Sequence, residues 1–353
     1  MGPMKRAASQ ASSPDYAPSW PDRFFAWLER LPWPLWVSYP ALFALNVGLA
    51  HSPVWVDRVI PAGHLEPTLM LPALWFVLQG GLVHYLDHAA AQAAERFKVG
   101  IEEHAERSEG LSTRLQTMPA RPVAALSALV IVSVTLVTVT NPQALYPEVE
   151  SVLGRVLGAL SFAVGFLFAP ILFYHTVRQL RIVSELYSLV GSVNLFDLEP
   201  LYSLSGLTAR TGMGWILVLS LNLVQNALAR PFGLGFGFLL VSLGLVFFSA
   251  LAAFLLPLLG IHGRLAEEKS RLVRENARRL RTALNELHQR ADGRMFDEFA
   301  GFKQAIEALI LFNDEIKKVP TWPWQPATVR AFASALILPL VIFVVQQVIS
   351  RFL

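Results

Sequence analysis

The segment KKVPTWPWQPATVRAFASALILPLVIFVVQQVISRFL, residues 317–353, places two lysines and a Trp-Pro-Trp sequence ahead of about twenty mostly apolar residues. A run of this length is what an α-helix needs to cross the hydrocarbon core of a bilayer. Indole rings favour the headgroup layer and proline is tolerated where a helix begins, so Trp322-Pro323-Trp324 is typical of a membrane entry point. Two adjacent amides, Gln346 and Gln347, lie near the far end of this run.

Six further windows share this apolar character. Of the 353 residues, 54% are hydrophobic and only 16% are charged. A soluble helix would interrupt such windows with polar residues at every turn, and barrel strands would be short and alternating. We therefore predict an all-α, polytopic membrane protein. The seven predicted spans are 33–52, 69–88, 123–141, 154–174, 213–230, 234–260 and 328–350.

The basic residues predict how the chain is oriented. Lys and Arg collect in the loops on the cytoplasmic side of a membrane. With the N-terminus inside, the inside segments carry 25 of the 29 basic residues and the outside segments carry 4. We predict a multi-pass cell-membrane protein with a cytoplasmic N-terminus and an extracytoplasmic C-terminus. Its predicted parts are a disordered tail over 1–22, spans one to six with their extensions over 23–260, a cytoplasmic helical hairpin over 261–326 and the last span over 327–353.

The inside segment 261–326 is too long to be a simple connector. Leucines at coiled-coil-like spacings from Leu265 to Leu287, and a second apolar stripe from Phe296 to Ile310, predict two amphipathic helices. Residues 91–118 and 179–210 similarly prolong spans two and four. We expect these three extensions to pack into a cytoplasmic helical platform.

Uncharged polar side chains gather in the outer halves of the odd-numbered spans. No span centre carries Asp, Glu, Lys or Arg, which argues against an ion-coupled transporter. Amides in hydrocarbon are costly unless they pair or face water. Two interpretations stay open, namely hydrogen bonds between helices and a hydrated outer vestibule of a pore. The candidate pathway residues are Asn46, Thr138, Asn222, Gln225, Asn226, Gln346 and Gln347.

A second polar group lies at the inner ends of the even-numbered spans. His84, Asp87 and His88 follow one another at i, i+3 and i+4, while His175 ends span four and His262 ends span six. Imidazole and carboxylate ligands suit a divalent metal, and imidazole also suits haem. The alternative is that these are interfacial side chains at helix ends. The leading expectation is no cofactor, with a divalent metal or haem at these residues as the alternative.

The sequence lacks the common catalytic templates. It contains no Walker-type glycine loop, no HExxH and no GxSxG, so an enzyme is the less favoured class. With no cysteine, thiolate metal sites are excluded. No aromatic-basic pattern indicates a nucleic-acid partner.

Seven spans, an inside N-terminus, long inside segments and a last span that follows a cytoplasmic helix together resemble the insect odorant and gustatory receptor superfamily. The resemblance implies a ligand-gated cation channel assembled as a tetramer, with residues 261–326 as its anchor and 328–350 as its pore helix. That family's C-terminal pattern is a hydrophobic run followed by Gln and Phe. In this chain the segment VIFVVQQV supplies the hydrophobic run and the glutamine, Gln346. Gln347 stands in place of the Phe, and the Thr-Tyr pair that precedes the run in that family is absent.

Three functions remain in competition. The first is an oligomeric ion channel or passive permeation protein, a homo-oligomer in the lipid bilayer with Gln346 and Gln347 near its outer mouth. The second is a signalling or scaffolding protein whose hairpin binds a cytoplasmic protein partner. The third is a membrane enzyme that uses a histidine-bound metal or haem.

Overall fold

A computed structural model describes residues 16–98, 105–190, 194–228, 236–293 and 299–352. In these ranges the all-α prediction is confirmed, since the regular structure is helical apart from an isolated bridge between Pro18 and Pro119. Short 3₁₀ turns occur at Pro67–Met70 and Leu256–Leu258. The α-helices are α1 (Trp20–Glu29), α2 (Leu35–Val56), α3 (Leu71–Lys98), α4 (Ala105–Gln116), α5 (Ala120–Thr140), α6 (Val152–Phe166), α7 (Phe168–Ser188), α8 (Glu199–Leu228), α9 (Phe236–Leu255), α10 (Leu259–Asp292), α11 (Phe299–Lys318) and α12 (Pro326–Phe352).

Five helical stretches in the described part of the chain are long and apolar enough to cross a membrane, consistent with a multi-pass membrane protein. They overlap predicted spans two to six. These stretches are Pro67–Phe97, Ala120–Thr140, Val152–Ser188, Glu199–Leu223 and Phe247–Asp292.

Predicted spans one and seven also coincide with helices, α2 and α12, but neither is among the five. In α2, two internal prolines, Asn46 and His51 interrupt the apolar sequence. In α12, the shorter stretch Pro326–Pro339 is apolar. The count of seven spans, and the side of the membrane on which each terminus lies, stay predictions.

Helix α3 occupies the centre of the bundle, where it contacts α2, α4, α6, α7 and α8. In the most apolar part of α3, 61% of the residues are buried, whereas only 6% are buried in the most apolar part of α5. Helix α5 packs against α1, α6 and α7 and exposes large side chains such as Leu129, Val132 and Val139. Lipid tails are as apolar as leucine, so this exposed surface suits direct contact with lipid.

Two glycines on α6 let it approach its neighbours closely. A Cβ atom on Gly165 would lie 3.0 Å from the carbonyl oxygen of Pro72, at the start of α3. A Cβ atom on Gly158 would lie 2.6 Å from the ring of Tyr146, whose hydroxyl donates a 2.7 Å hydrogen bond to the carbonyl of Ala50 in α2. The absence of a side chain at these positions is therefore what allows α6 to pack on α2 and α3.

The end of the bundle at which α3 terminates, called here the inner end, has its own apolar core. Side chains from α3, α4, α7, α8 and α10 meet there, among them Phe97, Leu186 and Leu265. The core thus draws on each of the three extensions predicted from residues 91–118, 179–210 and 261–326. Arg264 donates to the carbonyl of Val190 at 2.7 Å and so satisfies backbone oxygens just beyond α7. The cytoplasmic location of this core stays a prediction.

Helices α10 and α11 pack against each other in antiparallel orientation. Buried Asn276 donates through Nδ2 to the carbonyl of Leu309 at 2.8 Å. Nearer the bundle, Lys269 Nζ donates to the carbonyls of Lys317 and Val319, each at 2.7 Å. The Lys269 hydrogen bonds place a cation at the C-terminus of α11, where the helix dipole favours positive charge.

Candidate metal centre

Helix α1 is tied to the loop before α5 and carries one residue of the candidate site. Ser19 and Asp22 form a capping box, in which Asp22 Oδ2 accepts from the Ser19 amide at 2.8 Å. The same oxygen accepts from the amide of Met118 at 3.1 Å, which ties α1 to the loop before α5. Burial raises the pKa of Asp22, and these hydrogen bonds oppose that rise. The last residue of α1 is Glu29.

Glu29 meets two histidines of α3. His84 and His88 are four residues apart and therefore lie on the same helix face. Glu29 Oε1 is 2.8 Å from His88 Nε2 and 3.2 Å from His84 Nε2. The two Nε2 atoms are 3.1 Å apart. The three donor atoms thus form a nearly equilateral triangle.

His84 is oriented by two neighbours from other helices. The Tyr39 hydroxyl of α2 lies 2.8 Å from His84 Nδ1, on the opposite side of the ring from Glu29. The Phe25 ring of α1 stacks on the imidazole with a centroid distance of 4.7 Å and an interplanar angle of 1°. The His84 side chain is 5% exposed, whereas that of His88 is 46% exposed. His84 is therefore fixed within the bundle, whereas His88 faces outward.

The triangle has the spacing of a metal coordination sphere. Each neutral imidazole carries at most one proton on its Nε2. The two imidazoles therefore supply at most two protons to the three short contacts among Glu29, His84 and His88. A cation attracts all three lone pairs at once. Metal–ligand bonds of about 2.0–2.1 Å at tetrahedral or octahedral angles place neighbouring ligand atoms about 2.8–3.4 Å apart. The observed separations of 2.8–3.2 Å lie in that range.

Haem fits the cluster poorly. Axial haem ligands approach the iron from opposite faces of the macrocycle. The Nε2 atoms of His84 and His88 are 3.1 Å apart, which leaves no space for a porphyrin between them. These three residues suit a single small ion.

The other residues predicted for this site lie elsewhere. Asp87 Oδ1 is 2.8 Å from His175 Nε2, so these two form a separate pair between α3 and α7. His262 Nδ1 lies 3.0 Å from the carbonyl of Thr321, and its ring stacks on Trp322. Neither Glu29 nor Tyr39 is predicted from the sequence. For Glu29, the one available signal was an acidic residue immediately before the first predicted span.

The predicted pathway residues that are described make contacts within or between helices. Gln225 Oε1 accepts a hydrogen bond from Trp75 Nε1, Asn46 Nδ2 donates to the carbonyl of Leu42 at 2.9 Å, and Thr138 donates to the carbonyl of Val134 at 2.9 Å. Asn222 lies half-buried on α8. The pore interpretation stays a prediction. The side chains of Asn226, Gln346 and Gln347 lie outside what the structure describes.

Comparison with known proteins provides no further assignment. No protein-family model, no curated protein and no solved structure matches the chain significantly. Its function is therefore inferred from the geometry of the site.

Proposed function

We propose that this chain is an integral membrane protein that binds a divalent transition-metal ion through Glu29, His84 and His88. The observation that supports the proposal is the mutual approach of their three donor atoms, at 2.8, 3.1 and 3.2 Å. Two of these residues are four apart on α3, and the third comes from α1, which the hydrogen bond from the Met118 amide to Asp22 ties to the loop before α5. Such a cluster needs both helices in place, so it is a property of the folded bundle.

The ligand set indicates which ions would bind and what they could do. Two imidazoles and one carboxylate suit Zn²⁺ and other first-row divalent ions better than Ca²⁺ or Mg²⁺, which prefer oxygen ligands. Three protein ligands leave at least one coordination position for water or a substrate, as in catalytic rather than structural zinc sites. A water molecule bound there would be more acidic than bulk water. Metal-dependent hydrolysis at the inner end is the reaction class that this arrangement supports.

Tyr39 has a supporting role in the proposal. When His84 binds an ion through Nε2, its Nδ1 carries the proton and donates to the Tyr39 hydroxyl oxygen. Hydrogen bonds of this kind orient metal-binding imidazoles and increase their basicity. The 2.8 Å separation between Tyr39 Oη and His84 Nδ1 suits that bond.

The test is metal binding by the purified full-length protein in detergent. Co²⁺ is the probe because its visible absorption reports coordination directly, and Zn²⁺ should displace it. We expect one equivalent to bind to the wild type and binding to fall by at least 100-fold in His88→Ala. The matched control is His64→Ala, which removes an exposed histidine from a loop and should bind normally. Equal losses in the two variants, or no Co²⁺ spectrum in the wild type, would refute the proposal.

A second candidate function is an oligomeric channel. In the described part of the chain, α12 packs chiefly along α8 and exposes Ile337, Val341 and Val345. The channel proposal assigns this exposed apolar flank to contacts between copies, in keeping with the tetramer that the resemblance to odorant receptors implies. Native mass spectrometry tests the assembly, and single-channel recording of the Gln346→Leu, Gln347→Leu double variant tests the pathway. A monomer, or unchanged single-channel current in the double variant, would eliminate this candidate.

A further inference from the structure

Two crevices lie side by side on the face of the bundle formed by α2, α3, α8 and α12. The first, with a volume of about 300 Å³, is lined by polar side chains near the inner end. Its charged and hydrogen-bonding residues are Gln92, Arg96, Glu199, Tyr202, Ser203, Arg210, Gln325 and Thr328. The second, with a volume of about 560 Å³, has mainly apolar walls that include Leu74, Leu78 and Leu217.

Arg210 and Met213 line both crevices, which therefore adjoin each other, and the two together are called here the groove. Arg210 is half-buried on α8, at the point where polar walls give way to apolar walls. In the described part of the chain, no carboxylate forms an ion pair with its guanidinium. A cation at the junction of a polar and an apolar crevice matches the boundary between the head and tail of an anionic amphiphile.

The apolar section of the groove is about as long as one leaflet of hydrocarbon is thick. This section follows α3 from Leu74 to Tyr85, which corresponds to about 16 Å at 1.5 Å per residue. Half of a hydrocarbon core of about 30 Å is about 15 Å. The apolar side of the groove opens on the bundle surface, where Tyr85 is 52% and Leu217 is 45% exposed. An acyl chain in the adjoining leaflet would therefore reach it without crossing the protein.

The charges at the polar end favour an anion. The polar crevice is lined by two guanidinium groups, those of Arg96 and Arg210, and by one carboxylate, that of Glu199, and the Tyr202 hydroxyl adds a hydrogen-bond donor. Guanidinium groups match phosphate oxygens through paired hydrogen bonds. Basic pockets between membrane helices are recognised binding places for phosphate head groups.

We propose that this groove binds one anionic glycerophospholipid. Its phosphate lies between Arg96 and Arg210, and one acyl chain follows the apolar wall formed by Leu74, Leu78 and Leu217. The proposed contacts with the phosphate and the acyl chain include none of Glu29, His84 and His88, although Tyr39, the hydrogen-bond partner of His84, also lines the apolar section.

The experiment is native mass spectrometry of the full-length protein released from detergent with added phosphatidylglycerol or phosphatidylcholine. We expect one retained phosphatidylglycerol molecule per chain and at least tenfold less retained phosphatidylcholine. Arg210→Gln should reduce phosphatidylglycerol retention about tenfold, and Arg210→Lys should reduce it less. Leu217→Trp, which narrows the apolar section, should also reduce it. The matched control is Arg281→Gln, at an exposed arginine of α10, which should leave retention unchanged.

Each contrary result has a distinct meaning. Equal retention of both lipids would show that the groove does not select an anion. Displacement of phosphatidylglycerol by inorganic phosphate, with no effect of Leu217→Trp, would indicate a site for free phosphate. Equal losses in the Arg210 and Arg281 variants would indicate general surface charge. Any of these results would overturn the lipid site, and thermal unfolding of each variant shows whether its fold is intact.

Discussion

Replacing Gly165 by alanine should destabilise the protein, although alanine is the better helix former. The new Cβ atom would lie 2.9 Å from the Pro72 Cβ atom, 3.0 Å from the Pro72 carbonyl oxygen and 3.2 Å from its Cα atom. Two of these three are backbone atoms, which cannot rotate away as a flexible side chain would. Helix α6 would have to move away from the start of α3, the helix that carries His84 and His88.

Two opposing effects set the magnitude. Overpacking of a well-packed contact costs about 1–3 kcal/mol. The gain in helix propensity from Gly to Ala offsets about 0.5–1 kcal/mol of that cost. Because backbone atoms resist displacement, we expect Gly165→Ala to lower the free energy of unfolding by about 1–2 kcal/mol.

Gly48 on α2 provides the matched control, since a Cβ atom there would meet nothing within 4 Å. Gly48→Ala should therefore be neutral or should stabilise the protein by up to about 1 kcal/mol. The two variants should differ in melting temperature by about 3 °C, because an unfolding entropy of about 2.1 cal/mol/K per residue gives roughly 1.4 °C per kcal/mol for a chain of 353 residues. The assay is tryptophan fluorescence during heating at one fixed scan rate in one detergent. If Gly165→Ala melts at or above the wild-type temperature, the argument from close helix packing is wrong.

Three further outcomes are expected. Tyr39→Phe should weaken Co²⁺ binding by about 10–100-fold while preserving the fold, because it removes the hydrogen bond to an imidazole ligand; unchanged affinity in the same titration would contradict this role. The Ser151 hydroxyl and the amides of Glu150 and Ser151, just before α6, lower the pKa of Asp57. The ionised carboxylate therefore stabilises the fold when the pH is above the ordinary pKa of an aspartate. This contribution is lost as the pH falls below about 4. Asp57→Asn should therefore lower the melting temperature at neutral pH and less so in acid; melting curves that shift equally at both pH values would argue against this contact. Asn276→Ala should cost about 1 kcal/mol by removing the hydrogen bond to Leu309, whereas Asn285→Ala, at an exposed position of the same helix, should not destabilise the hairpin; equal urea midpoints for the two variants would count against that bond.

Sequence spacing predicts that His84 and His88 of the candidate metal centre lie together, but it does not predict which third residue joins them. Residues i and i+4 are about 40° apart around a helix, so His84 and His88 share a face. Asp87, at i+3, lies about 60° to the other side of His84 and is thus about 100° from His88. That rotation explains why Asp87 contacts His175 on α7 and leaves the place beside both histidines to Glu29.

The sequence by itself determined the secondary structure class, because long apolar windows must satisfy their backbone hydrogen bonds within a helix if they enter a membrane. It also indicated which positions on α3 share a face. Only the tertiary structure decided that Glu29, 55 residues before His84, joins that face, because its approach depends on the packing of α1 and on the Phe25–His84 stack. The groove that contains Arg210 likewise depends on how α2, α3, α8 and α12 meet. Helix periodicity records the neighbours of a residue within its own helix and carries no information about which other helix will lie against it.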